Sequence, residues 1–284
     1  MIINRSFSSS LLNKERFGSL KSLLLLVVIA ILATSNTYAQ ASFETIGGLR
    51  YLIDSDAKTA MLTANNDEKY SGNIVVPEKV KASDGVEYPV TAFVDNAFKD
   101  CGGLQSIIIP SSVTSLGEWC FASCSSLTSI TIPSSVTSLG YACFDHCSGL
   151  TNITIPSSVT SLGASCFFYC SGLTSITLPS SVSSLGDACF CGCTGLTSIT
   201  IPSSVTSLGI SCFAQCCGLT NITIRSSVTS LGETCFSQCL HLTNITIPSS
   251  VTFIDDDCFR ECSSLTSITI PSSVTSLGGN CFID

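Results

Sequence analysis

From Leu104 onward, apolar residues recur at fixed places in a 23-residue period. The unit is clearest in Leu127-Thr-Ser-Ile130-Thr-Ile132-Pro133-Ser-Ser-Val136-Thr-Ser-Leu139-Gly140-Tyr-Ala-Cys143-Phe144-Asp-His-Cys147-Ser-Gly149. It begins again at Leu150, Leu173, Leu196, Leu219, Leu242 and Leu265, and one earlier copy starts at Leu104. That gives seven full units, Leu104 to Ser264, and a truncated eighth, residues 265–284. Within a unit, Ser129-Ile-Thr-Ile132 alternates polar and apolar with period two. This predicts a short strand with Ile130 and Ile132 inward and Ser129 and Thr131 outward. Pro133 cannot donate to a ladder and closes the strand. Val136 and Leu139 predict a second inward turn, and Gly140 allows an unusual backbone angle beside it. Cys143-Phe144-x-x-Cys147 is too short for a free-standing helix; as a single turn held by its neighbours it points Phe144 and both cysteines inward. One unit buries too little apolar area to offset the ordering of its backbone, so the copies fold only when stacked.

A period in the 20–29 range headed by Leu-x-x-Ile-x-Ile is the signature of a leucine-rich-repeat solenoid. The predicted fold is therefore an α/β-type repeat array. It is curved and right-handed, with parallel short strands on the concave face and single-turn helical or irregular convex segments. The whole unit, Leu-x-x-Ile-x-Ile-Pro-x-x-Val-x-x-Leu-Gly-x-x-(small)-Phe-x-x-Cys-x-x, resembles the BspA-type leucine-rich repeat over roughly residues 70–284. That resemblance implies adhesion: binding to host matrix or plasma proteins, or to other cells. The small residue before Phe is usually Ala in that family, whereas here it is Cys in every unit after Ala97.

Ahead of the regular units, Gly48–Ile53 and Thr59–Thr63 predict two short strands around the turn-rich segment 54–58. Pro77 to Pro110 is the period plus a ten-residue insertion near Lys81–Gly85, so residues 42–103 read as an N-terminal cap containing a degenerate first repeat. Residues 1–41 read as a cleavable signal peptide. Lys14, Arg16 and Lys21 precede an eleven-residue apolar run, Leu23–Ala33, with cleavage after Ala39 or Ala41. The run is short for a bilayer span and no second apolar segment follows, so the expected product is secreted or displayed on the cell surface without a transmembrane segment. The sequence stops inside a unit, and the expectation is a sticky final edge open to end-to-end self-association.

Charged residues make up 11% of the chain, and from Leu104 onward only Arg225 and Arg260 stand against nine acids. No Lys follows Lys99, so no nucleic-acid surface is expected. Eighteen cysteines in an exported chain suggest disulfides. Sixteen of them, however, fall into two columns at the repeat period, one running from Cys120 to Cys281 and the other from Cys101 to Cys262, leaving Cys191 and Cys217 outside. Recurrence at the period marks a core position, which favours buried thiols over disulfides or metal. Asp145-His146 reads as a solvated loop pair rather than catalytic machinery, because the array has almost nothing singular enough to build an active site. Asp255–Asp257 reads as a solvated acidic edge rather than a calcium site. Asn152, Asn221 and Asn244 open Asn-Ile-Thr sequons. No enzyme activity, cofactor or metal is expected.

Two surfaces compete as the ligand seat for an extracellular protein or glycan. The variable edge around Cys-Phe-x-x-Cys carries Trp119, Tyr141, Phe168, Tyr169, Gln215, Gln238, His241 and Arg260. The concave ladder carries Ser129, Thr131, Asn152, Thr154, Thr177, Thr200, Thr223 and Thr246. Exposed aromatics in variable positions are the commoner material of binding hot spots, which favours the edge. The alternatives are a structural or decoy array with no single ligand, and binding of a regular lattice such as ice through the Ser/Thr ladder, which a curved sheet matches poorly.

Overall fold

The computed structural model describes residues 41–65 and 67–283; apart from Ala41, the signal-peptide reading lies outside the described residues. The chain opens with an antiparallel meander, β1 (Ser42–Ile46), β2 (Leu49–Asp54) and β3 (Thr59–Thr63). Two of these strands follow from the alternation in the sequence, whereas β1 is additional. β4 (Gly72–Val75) pairs in parallel with β7 (Leu104–Ile108). β5 (Lys79–Lys81) folds back on β6 (Glu87–Phe93), which lies parallel between β3 and β8 (Ser115–Leu116). The meander thus occupies the end at which an open parallel sheet would otherwise expose a bare edge.

Beyond β8 the units starting at Leu127, Leu150, Leu173, Leu196 and Leu219 supply the predicted outward–inward–outward strand, shortened to Asn244–Ile245 in the next, and every unit adds a second, two-residue strand. Asn152–Thr154 lies in parallel register between Ser129–Thr131 and Ser175–Thr177. Asn221–Thr223 continues the pattern with Ser198–Thr200 and Asn244–Ile245. The second ladder joins Ser115–Leu116, Ser138–Leu139, Ser161–Leu162 and Ser184–Leu185, then Ser207–Leu208, Ser230–Leu231, Phe253–Ile254 and Ser276–Leu277. Both ladders divide at the same place, between the units starting at Leu173 and Leu196. In the last unit Ser276–Leu277 keeps its partner, but residues 265–270 form no strand, and Phe282 and Ile283 are exposed.

The third side of the unit is neither helix nor loose loop. Ala122 N–H donates to the Trp119 carbonyl and Cys124 N–H to that of Phe121, closing successive turns. Between them the amides of Trp119, Phe121 and Ser123 donate to Tyr141, Cys143 and Asp145 of the next unit at 2.7–2.9 Å. A helix would spend those donors internally. Here two residues per unit adopt left-handed angles, as at Trp119 (φ 57°) and Ser123 (φ 60°), which aim alternate amides along the stack. The single-turn prediction is therefore realised as an irregular, hydrogen-bonded turn ladder.

Inside, the stack closes around one continuous column of rings. Phe98, Phe121, Phe144, Phe167, Phe190, Phe213, Phe236, Phe259 and Phe282 stack face to face with centroids 5.2–5.7 Å apart. The two cysteine columns flank it. All eighteen thiols are free and every one except Cys217 is buried. In the second column the thiol also fills a bonding role. Cys147 Sγ–H donates to the Phe121 carbonyl at 3.0 Å, Cys170 to that of Phe144, and Cys193 to that of Phe167, each 26 residues back, whereas Cys101 at the head of the column reaches Lys99. Burial pushes these thiols well above the ordinary range, which holds them protonated and unreactive. Maleimide labelling of the native, reduced protein is therefore expected to modify Cys217 alone, with the other seventeen reacting only in denaturant. Mass spectrometry showing several column cysteines labelled before unfolding would contradict the buried-column assignment.

Candidate binding edge

One set of hydroxyls in the array ties each unit to the one before. Ser158 donates to the Val136 carbonyl and Ser181 to that of Val159, while Thr151 and Thr174 reach back to the Thr128 and Thr151 carbonyls. The outward strand row is different. Thr131, Thr154, Thr177, Thr200, Thr223 and Thr246 are exposed and, among the described residues, make no side-chain hydrogen bond within the protein. Ser129 is likewise exposed, and Asn152 reaches only its neighbour Thr151, at 3.4 Å. This face is uniform, neutral and uncommitted.

On the turn edge the picture reverses, with singular side chains engaging one another. The Trp119 ring meets Tyr141 edge-on at 5.2 Å and carries the Lys99 ammonium 4.5 Å from its centroid. One unit further along, His146 stacks on Tyr169 at 5.3 Å, and Phe168 packs edge-on against Tyr169 at 4.6 Å. The Tyr169 hydroxyl then pairs with Gln215 Oε1, two units away, at 2.5 Å. This strap crosses the level at which both strand ladders divide. It fits only because the intervening position is glycine, since a Cβ on Gly192 would sit 2.9–3.0 Å from the Tyr169 ring. The remaining edge residues form a separate group: Gln238 donates to Glu261, and Arg260 lies 3.6 Å from Asp257 and 3.4 Å from Glu261. His241 packs its Nδ1 against the Cys217 carbonyl at 2.5 Å. The sequence-predicted edge residues thus fall into three local clusters rather than one pocket.

Left-handed angles cost little for Gly or Asn and more for bulky residues. Trp119, His146 and Tyr169 occupy them, at 57°, 55° and 52°, and so concentrate strain in the same segment that carries the exposed rings.

One expectation about the edge is overturned. Asp145 is not solvated: it is 7% exposed, with its carboxylate 2.6 Å from His146 Nδ1. Its backbone carbonyl receives Ser123 N–H as part of the turn ladder, and its carboxylate is held against the chain by His146. Burial raises its carboxyl pKa and His146 pulls it partly back. A carboxyl raised above its unfolded value costs stability once ionised and stops costing as pH falls through the folded pKa. Asp145→Asn is therefore expected to raise the unfolding midpoint at pH 7, with the advantage disappearing toward acid pH. A midpoint lowered at pH 7 would show that the ionised pair is a net stabiliser. The Asp255–Asp257 carboxylates are bound locally: Asp255 accepts Asp256 N–H, Asp256 accepts Gly279 N–H, and Asp257 faces Arg260.

A stack of parallel short strands and turn ladders with a common 23-residue register defines a leucine-rich-repeat solenoid. Residues 91–216 and 163–284 match the family described as "BspA type Leucine rich repeat region", in six copies, and the chain belongs to that family. A leucine-rich repeat protein from Bacteroides ovatus is similar, with 28% identity and a TM-score of 0.66 over 84% of this chain and 68% of its own. The leucine-rich repeat protein of T. pallidum gives 26% identity and a TM-score of 0.61 over 70% of this chain and 90% of its own. No curated protein sequence matches the chain.

Proposed function

We propose that the protein is a non-enzymatic, exported adhesion or protein-binding module whose ligand seat is the turn edge from Trp119 to Arg260. The supporting observation is the division of labour around the solenoid. The strand face repeats one neutral hydroxyl pattern, whereas the turn edge holds the exposed rings Tyr141 and Tyr169 and the polar groups that differ between units. Large rings bury much area at small entropic cost, which is what discrimination between partners requires. Membership of a repeat family whose solved relatives are leucine-rich-repeat proteins supports a binding role over catalysis.

A second reading rests on the uncommitted threonine row, whose hydroxyls are free to meet a ligand. Two variants in one panel of host matrix, plasma and cell-surface proteins and glycans separate the readings, once both are shown to be folded. One changes Trp119, Tyr141 and Tyr169 to Ser; the other changes Thr154, Thr177 and Thr200 to Lys. Loss of binding in the first alone is the expected result. Loss in the second alone places the ligand on the strand face, and a blank panel for the wild type favours the structural array.

A further inference from the structure

An interior strand such as Asn152–Thr154 is paired along both edges. The first strand of the same face, β4, is not: among the described residues it pairs with β7 alone. The meander covers the first edge of the second ladder and leaves this one open. In a parallel strand, alternate residues bond to opposite sides. Gly72 N–H donates to the Gly103 carbonyl at 2.8 Å and Val76 N–H to that of Ile108 at 3.1 Å, so residues 72, 74 and 76 face β7. The amides and carbonyls of Asn73 and Val75 therefore point the other way, and no hydrogen bond among the described residues reaches them. They open on a cavity of about 300 Å³ lined by Asn73, Ile74 and Val75 and by Gly48, Leu49 and Tyr70. The side chains are under-covered in the same place. Ile74 is only partly buried, whereas its equivalents Ile107, Ile130 and Ile153 are buried. Val75 and its register partner Ile108 are 65% and 61% exposed, at the head of a row that is threonine from Thr131 onward.

From this we infer that β4 is a strand-addition site, occupied by an extended, uncharged segment of a partner polypeptide that lies along the cavity. The site is in the cap and is independent of the turn edge. Strand addition draws its affinity from main-chain hydrogen bonds and its selectivity from alternate side chains. The segment runs parallel to β4, as every pairing on this face does. The partner already in place shows which side chains match: Asn73 faces Ser106, Ile74 faces Ile107 and Val75 faces Ile108. The added segment therefore reads polar, then Ile, then Val or Ile. Its Ile turns inward against the bare flank of Ile74, and the residue after it extends the Val75–Ile108 pair. In parallel register that Ile donates its N–H to the Asn73 carbonyl and receives Val75 N–H on its own carbonyl. The N–H of the following residue points away from β4.

The test uses the full chain and a fluorescein-labelled peptide, Gly-Gln-Ser-Ile-Val-Val-Gly, with two N-methyl counterparts. Fluorescence anisotropy should show that the parent binds. Methylating the Ile nitrogen should weaken it by about tenfold, and methylating the first Val nitrogen should leave it nearly unchanged. No binding by the parent, or equal binding by both N-methyl peptides, overturns the inference. On the protein side, Val75→Pro removes the outward N–H and keeps the Gly72 and Val76 bonds to β7. Peptide binding weakened by about tenfold with an unchanged unfolding midpoint is the expected result; if the variant fails to fold, the N-methyl pair decides. Trp119→Ser/Tyr141→Ser/Tyr169→Ser should bind the peptide as the wild type does, so failure of the turn edge and failure of this site are told apart. Loss of the peptide in that triple variant would put it on the turn edge and overturn the assignment to β4. Self-association in light scattering that Val75→Pro abolishes would mean that a second copy fills the edge, which overturns the foreign segment as its occupant.

Discussion

Phe190→Ala is expected to destabilise the protein by about 3–5 kcal/mol, the range for removing a buried aromatic side chain. The ring is fully buried and stacks on Phe167 and Phe213, each 5.4 Å away. Its loss leaves a cavity bounded by two ring faces that cannot close on each other. The backbone of the segment is fixed from both sides, by Phe190 N–H to the Cys212 carbonyl and Phe167 N–H to the Cys189 carbonyl. Collapse into the cavity would break that turn ladder, so the full penalty should be felt. Phe282 is the control, since it stacks only on Phe259 and is 42% exposed; its replacement by alanine should cost about 1 kcal/mol or less. Equilibrium unfolding in guanidinium, followed by circular dichroism, measures both. Equal costs would show that the phenylalanine column is not what holds consecutive units together.

The strand positions and the inward residues were legible because period-two alternation and a fixed repeat say which side chains must share an environment. Ile130, Leu139, Phe144 and both cysteine columns all lie where that logic puts them. The turn ladder was not legible, because whether Phe121 N–H bonds within its own turn or to Cys143 depends on the phase between stacked units. A period names the neighbouring unit without fixing its offset: the observed partners lie 22 residues away for turn amides, 23 for many threonine hydroxyls and 26 for thiols. Nor does the period give the burial of Asp145, since Arg260 takes the same place in its unit, accepts the same backbone bond and is exposed. On the edge, the aromatic residues were visible in the sequence as departures from the repeat. Their contacts were not, although one signal was available: Gly192 is the only glycine in the column Asp100, Ser123, His146, Tyr169, Gln215, Gln238 and Glu261. A missing side chain there makes room for the Tyr169 strap.

Because the bonds between units are set by register, deleting 23 residues should harm the fold less than deleting eleven. Removing residues 219–241 joins Gly218 to Leu242, the same junction that Gly218 makes with Leu219, so both strand ladders and the turn ladder can close over the gap. The expected result is one cooperative unfolding transition with a denaturant slope smaller by about a tenth, in proportion to the surface lost. Removing residues 219–229 is the smaller cut. It deletes Asn221–Thr223 and Val228 but keeps Ser230–Leu231, Phe236 and the turn. The crippled unit can offer the second strand and the ring, yet nothing to pair with Ser198–Thr200 or to receive Asn244–Ile245. Everything beyond it then loses one of three ladders, and in a stack where each unit touches only its neighbours that loss propagates to the end. The shorter deletion should shed about a quarter of the slope, with amide exchange fast from Ser230 onward and still slow in the units before Gly218. Equal protection of the last units in both deletions would mean that one ladder suffices to stack them, and that the solenoid is held by its phenylalanine column rather than by the register of its strands.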